Sequence, residues 1–202
     1  MQNVSFKSKI NFIPSEGFPD IKRSASFLEV PEDIHVQTKK SDIFADCICD
    51  CTALFLVGKE RIVHAFHFFN NEDTSSENLE KTLDKQLEKY KIYKGLIIGG
   101  KKLKHRPDSL KVFQRVLDKV KKFSPDISVF KNQGRHGITD VHYSPQEDTY
   151  NIQSDYGPSL KTLASVEELI QAFKEISVAP QDELYINGKL VSKNEHPKLF
   201  RK

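Results

Sequence analysis

Apolar and polar positions along the chain fall into two rhythms, and the places where they switch mark the elements. Residues 4–12 set Phe6, Ile10 and Phe12 among polar neighbours, an alternation that predicts a first strand. Residues 14–33 are punctuated by Pro, Ser and Gly and read as irregular. From 43 to 69, two runs of apolar, β-branched and aromatic residues flank Gly58-Lys59-Glu60, the pattern of a hairpin. Thr74 with Glu77 forms a capping-box pattern, after which Leu79, Leu83 and Leu87 share one helical face. Residues 94–98 predict a short buried strand ending in Gly99-Gly100. Pro107 and Asp108 then open a second helix, with Leu110, Phe113, Leu117 and Val120 inward. Strands are expected at 127–130, 138–143 and 149–152. A third helix starts at Ser165, capped by Glu168, and should bury Leu169, Ile170, Phe173 and Ile176. Asn187-Gly188, between Leu184/Ile186 and Leu190, suits a type I′ hairpin turn.

Strands that run together with helices interspersed predict an α+β fold: mixed, largely antiparallel sheets in a sandwich-like core, flanked by about three helices. The division expected is a main body over 1–159 and a C-terminal helix-hairpin appendage over 160–202 packed on it.

Composition narrows the classes of function. The 202 residues carry a net charge of only +3 with acids and bases interspersed, unlike a dedicated nucleic-acid binder. No apolar run approaches the ~20 residues of a membrane span, and residues 1–12 lack the apolar core of a secretory signal. The three cysteines, Cys47, Cys49 and Cys51, lie within five positions. An odd, clustered set argues against a disulfide framework and for a reducing compartment, a metal or a reactive thiol. A cytoplasmic site of action is expected, with signal-less export as an effector the other route; no nucleic acid or membrane is expected as partner.

A thiol attacks as thiolate, and a neighbouring imidazole can take its proton. Side chains alternate faces along a strand, so register decides which histidine serves Cys51. If Gly58-Lys59 closes a two-residue loop, Ala53 faces His64 and Cys51 is the diagonal neighbour of His64, ~7–8 Å away. A three-residue loop instead sets Cys51 opposite His67. Both histidines are candidates on geometry.

Asp50-Cys51-Thr52-Ala53-Leu54 followed by Ile62-Val63-His64-Ala65-Phe66 resembles the Cys…His hairpin of the CheD chemoreceptor glutamine deamidases, a fold shared by the cytotoxic necrotising factor deamidase toxins. The resemblance continues in order through residues 95–100 with their glycine pair, the helix at 109–122, Asn132-Gln133-Gly134-Arg135, and the hairpin from Tyr143-Ser144-Pro145 to Thr149-Tyr150. It covers roughly residues 42–152. It implies Cys51 as nucleophile and His64 as base, a protein substrate presenting a glutamine side chain, a thioester intermediate and no cofactor. Water as second reactant gives deamidation, an amine gives transglutamination. Asp46 or Asp50 is the candidate to orient the imidazole, and Asn132 and Arg135 to line a substrate groove. The chain departs from the family at Ala45, where the family has threonine, and at Asp50, where it has a small residue. A catalytically silent protein-binding module is one alternative.

The other alternative is zinc. Cys47, Cys49 and Cys51 would share one face if extended, with His64 or His67 adding nitrogens. Asp50-Cys51, His64-Ala65 and the upstream His35 also resemble, distantly, the zinc site of the laccase-like purine nucleoside phosphorylases. The basic run 101–106 reads as a solvated loop, with no aromatic residue interleaved to stack bases.

Overall fold

The computed structural model describes residues 7–13, 26–69, 74–100, 108–123, 126–132, 139–154 and 165–200. In chain order the elements are β1 (Lys9–Ile13), β2 (Phe27–Glu29), β3 (Ile34–Thr38), β4 (Asp42–Ile48), β5 (Thr52–Gly58), β6 (Val63–Phe68), α1 (Thr74–Lys89), β7 (Ile92–Gly99) and α2 (Asp108–Phe123). There follow β8 (Ile127–Asn132), β9 (Thr139–Ser144), β10 (Thr149–Ser154), α3 (Val166–Ala172), β11 (Phe173–Ser177), β12 (Glu183–Ile186) and β13 (Lys189–Leu190).

The fold is α+β, with a two-sheet core. One sheet has the order β13-β12-β1-β10-β9-β4-β2, the other β11-β8-β7-β5-β6-β3. Pairing is mostly antiparallel, with parallel pairs at β1/β10, β1/β12, β2/β4 and β7/β8. β5 is buried along its whole length because both its faces are covered. Its odd positions, Ala53, Phe55 and Val57, face the other sheet and pack with Ile10, Val141, Tyr143 and Tyr150. Its even positions, Leu54 and Leu56, join Leu83 of α1 and Phe113 and Leu117 of α2. A residue such as Phe55, at 0% exposure, would cost about 3–5 kcal/mol if cut to alanine.

The segment after residue 160 adds to the edges of both sheets: β11 pairs with β8, and β12 pairs with β1. Asn187 (φ 50°) and Gly188 (φ 72°) both take the left-handed backbone that a type I′ turn needs. Ser165 and Glu168 form the expected reciprocal cap. The helix after it is shorter than its pattern predicts. The chain leaves α3 at Phe173, whose backbone is extended, and residues 173–177 pair with β8 instead. Ile170, expected inside, is 48% exposed. Sheet pairing thus overrides the last part of the helical pattern and leaves a helix only about two turns long. The predicted first strand is seen as Lys9–Ile13, starting later than expected: positions 7 and 8 are not strand, and positions 4–6 lie outside the described residues, as does the basic run 101–106.

At the end of the sandwich where β7 begins, a buried polar cluster ties β7, β8 and β9 to the starts of β1, β10 and β12. Lys94, at 1% exposure, is ion-paired with Asp148. Asp148 also accepts from the Tyr143 hydroxyl at 3.0 Å and the Ser8 hydroxyl at 2.9 Å. Asp182 beside it accepts from the Ser8 backbone N–H at 3.0 Å and the Ser128 hydroxyl at 2.9 Å. Burial raises the Asp182 carboxyl to about 6.

Candidate active site

The hairpin forms as expected, but its turn does not. Val57 pairs with Val63, which leaves residues 58–62 as the connection, longer than either loop considered from sequence. Lys59–Arg61 make a 3-10 turn in which Glu60 (φ 63°) and Arg61 (φ 57°) take left-handed backbone. The consequence is a register in which His64 lies opposite Leu56, and His67 opposite Ala53. His64 therefore belongs to the even series of β5, facing the helices. Cys51, one step before β5, belongs to the odd series facing the other sheet. The pairing of Cys51 with His64 is corrected on this point: the two side chains leave opposite faces of the sheet.

His64 has another partner. Its Nδ1 lies 3.2 Å from Nε2 of His35 on the edge strand β3, the two rings are stacked with centroids 5.5 Å apart, and Tyr90 packs 4.7 Å away. Burial, followed by the charges of His35 and Lys89, lowers its pKa to about 4. It is a neutral histidine of the helix-side core. The zinc arrangement with His35, His64 and Cys51 is divided by the same register, two ligands on one face and the third on the other. The three-cysteine version fails for a different reason. Cys47 takes a φ of 53° at a bulge between Ala45 and Ile48, which breaks the extended run. Cys47 is exposed, Cys49 half-buried and Cys51 buried.

The structure brings Cys51 to His67, and adds a residue that sequence reasoning missed. The Cys51 sulfur, a ring nitrogen of His67 and a carboxylate oxygen of Glu32 all lie within 4.8 Å of one another. Two chain crossings between the sheets meet here: residues 30–33 join β2 to β3, and residues 49–51 join β4 to β5. The first crossing is pinned by Val30 N–H to the Phe44 carbonyl at 2.8 Å and Asp33 N–H to the His67 carbonyl at 2.6 Å. Asp33 then accepts from the Phe69 N–H at 3.0 Å and the Ser76 hydroxyl at 3.2 Å, anchoring the turn to β6 and α1. The second crossing is packed from β7: a Cβ on Gly99 (φ 131°) would lie 2.1 Å from the Cys51 carbonyl oxygen. Only glycine allows that approach. The Ser109 hydroxyl at the start of α2 donates to the Asp50 carbonyl.

Hydrogen bonding fixes the state of each group. His67 Nδ1 is 3.0 Å from the Val30 carbonyl, which can only accept, so Nδ1 carries the proton. Nε2 is then the basic lone pair, buried and without a hydrogen-bond partner among the described residues. A backbone carbonyl therefore orients this imidazole, the task expected of Asp46 or Asp50. Burial lowers the His67 pKa against the opposing pull of that bond and of Glu32, Asp46 and Asp33. The Cys51 thiol donates to Glu32 Oε1 at 3.6 Å. Burial, then the charges of Glu32 and Asp50, push its pKa far above that of a free thiol. At rest the site holds a neutral thiol beside a neutral imidazole.

Asn132 closes β8 at the same end of the sheet and on the sandwich face, two strands (about 10 Å) from Cys51 by way of Gly99. It is buried, and its Oδ1 has no partner among the described residues. Arg135 lies outside the described residues. Glu32 was concealed in a stretch read as irregular. The sequence signal was Pro31-Glu32-Asp33, a turn tripeptide just ahead of β3. Compared with protein-family models and with curated proteins, the chain gives no match.

Proposed function

We propose that this chain is a cysteine-dependent protein glutamine deamidase in which Cys51 is the nucleophile and His67, in place of His64, is the base. The observation that carries the reading is the proximity of the Cys51 sulfur to an imidazole whose tautomer is set by the Val30 carbonyl, leaving Nε2 unprotonated and unshared. As a substrate carboxamide docks, the Cys51 proton passes to His67 and the sulfur attacks the carboxamide carbon. His67 returns that proton to the departing nitrogen, and ammonia leaves. Water then cleaves the thioester, giving glutamate and restoring the thiol. Because Glu32 favours the neutral thiol, the thiolate is generated at the moment of attack rather than stored. Asn132, two strands away at the same end of the sheet, remains the candidate for holding the substrate amide. A reducing compartment such as the cytoplasm suits the free thiols, and no helix among the described residues is long and apolar enough to cross a membrane.

The burial of Cys51, at 1% exposure, favours one second reading: the same fold kept as a protein-binding module with an inert thiol. The separating experiment is ammonia release from an N-blocked glutaminyl peptide, read beside the Cys51→Ala variant. Turnover in the parent and none in the variant supports the hydrolase. No turnover in either, on the peptide or on glutamine-rich protein substrates, supports the binding module.

A further inference from the structure

Nothing in the hydrolase mechanism needs a carboxylate against the thiol, since Glu32 opposes ionisation of Cys51. The same three groups make good sense around a cation. We propose that Glu32, Cys51 and His67 form a three-ligand site for a thiophilic divalent cation of the zinc class, and that its occupation is a closed, inhibited state of the thiol site.

Sulfur, imidazole nitrogen and carboxylate oxygen are the donor types that zinc takes, at about 2.3, 2.0–2.1 and 2.0–2.2 Å. Two such ligands at a tetrahedral angle are separated by about 3.3–3.8 Å. The Cys51 sulfur and Glu32 Oε1 stand 3.6 Å apart, and the three donor atoms lie within 4.8 Å of each other. Closing them on an ion takes side-chain adjustment alone. His67 supplies the independent pointer. It is 1% exposed, its Nδ1 is spent on the Val30 carbonyl, and its Nε2 is an orphaned lone pair in the interior. A buried acceptor without a donor costs free energy that an ion recovers. The Nδ1–H bond to a carbonyl is also the outer-shell contact that metal-bound histidines use. The Glu32 carboxylate accepts from the Cys51 thiol, and a cation would take the place of the proton between them. Glu32 is exposed, so an ion could reach the site from its side.

Loading releases one proton, as the Cys51 S–H bond is replaced by a sulfur–metal bond and the proton goes to solvent. The ion takes the sulfur and the Nε2 lone pair that thioester chemistry requires, so metal and glutamine exclude one another. This clause rests on the proposed hydrolase reading; the site itself does not.

The test is a titration of chelator-stripped protein with Co²⁺, following the thiolate-to-cobalt charge-transfer band and the visible bands of a tetrahedral ion. The parent and a Cys47→Ser/Cys49→Ser double variant should saturate at one ion per chain. Cys51→Ser should lose the charge-transfer band. His67→Gln should weaken binding by more than about 100-fold, beyond what outer-shell changes cost. Glu32→Gln should weaken it by a lesser factor. No charge-transfer band in the parent, or one that survives Cys51→Ser and is lost with Cys47 and Cys49, overturns the site. Labelling of Cys51 that still depends on His67 in that case leaves the hydrolase reading standing. Cobalt binding as described, without ammonia release in the presence or absence of chelator, retains the metal site and removes the inhibitory role.

Discussion

Along β5 and β7 the register sets Lys94 beside Val57 and Gly99 beside Thr52, so the Lys94 and Cys51 clusters occupy opposite ends of one strand pair, about 17 Å apart. Both face the other sheet, and both place ionisable groups in the interior. They are satisfied to different degrees. At the Lys94 end the ammonium has a carboxylate, and both carboxylates accept from hydroxyls or a backbone N–H. At the Cys51 end a carboxylate faces a thiol, and an imidazole lone pair has no hydrogen-bond partner among the described residues. Apart from the buried Tyr150 hydroxyl, which has no partner among the described residues, the Lys94 network is complete, and it ties the N- and C-terminal strands into the sheet. An incomplete one is poised to receive a ligand or a proton.

Breaking the satisfied end should produce the largest effect. Asp148→Asn keeps a residue tolerant of the left-handed backbone at that turn (φ 53°) but strands the Lys94 charge. Urea denaturation should show a loss of about 3–5 kcal/mol, with the labelling rate of Cys51 unchanged. A stability loss below about 1 kcal/mol would show that the cluster is not the fastening described.

Gly99→Ala should come next, because its Cβ would meet the Cys51 carbonyl at 2.1 Å on backbone with φ 131°. We expect about 1–3 kcal/mol of destabilisation by the same denaturation, together with altered Cys51 labelling, the signature of a displaced crossing. The Cys51 end sharpens the contrast further. Burial is the main cause of the raised thiol pKa and the Glu32 charge the next, so Glu32→Gln should lower the apparent thiol pKa part of the way. Iodoacetamide labelling of Cys51 at neutral pH should rise several-fold, and stability should move by less than about 1 kcal/mol. Slower labelling would reverse the role given to Glu32.

The smallest effect is one of pH, and two buried groups work against each other. The His64 pKa is lowered from 6.5 to about 4 by folding, so the unfolded chain binds its proton first. Its contribution is full above 6.5 and is lost as pH falls towards 4. The Asp182 pKa is raised from 3.8 to about 6, so its contribution is present below 3.8 and is lost as pH rises through 6. Burial lowers His35 and His67 as well as His64, so these histidines together outweigh the opposing slope of Asp182, and the parent protein should gain stability as pH rises from about 4 to 6 in thermal denaturation. His64→Phe should make that gain smaller. An unchanged profile would contradict the burial of His64.

Much of this architecture was legible in the chain. The helical faces at Leu79/Leu83/Leu87 and Phe113/Leu117/Val120 follow from period alone, because a helix buries one stripe whatever it packs on. The hairpin strands and the Asn187-Gly188 turn were equally plain. Register was not. The 58–62 connection relies on left-handed backbone at Glu60 and Arg61, residues that do not advertise it, and a change in loop length by one residue exchanges the faces of every side chain after it. Cys51 was therefore visible as a candidate, but register alone left His64 and His67 both open, and the resemblance chose His64, which the structure sets on the other face of the sheet. Glu32 and the Val30 carbonyl were beyond reach, since both come from a crossing whose position depends on the assembled sheets. Residues 173–177 turned from helix to strand because β8 offered an edge, a tertiary contact that no local pattern carries.

The central claim is that His67, and not His64, serves Cys51. The direct measurement is the rate of Cys51 alkylation against pH, read by peptide mass spectrometry in metal-free protein, in the parent and in His67→Gln and His64→Gln. The account predicts that His67→Gln lowers the neutral-pH rate by about 100-fold, the low end of a general-base contribution, and that His64→Gln leaves it unchanged. Loss with His64→Gln and none with His67→Gln would contradict the register on which the site is built.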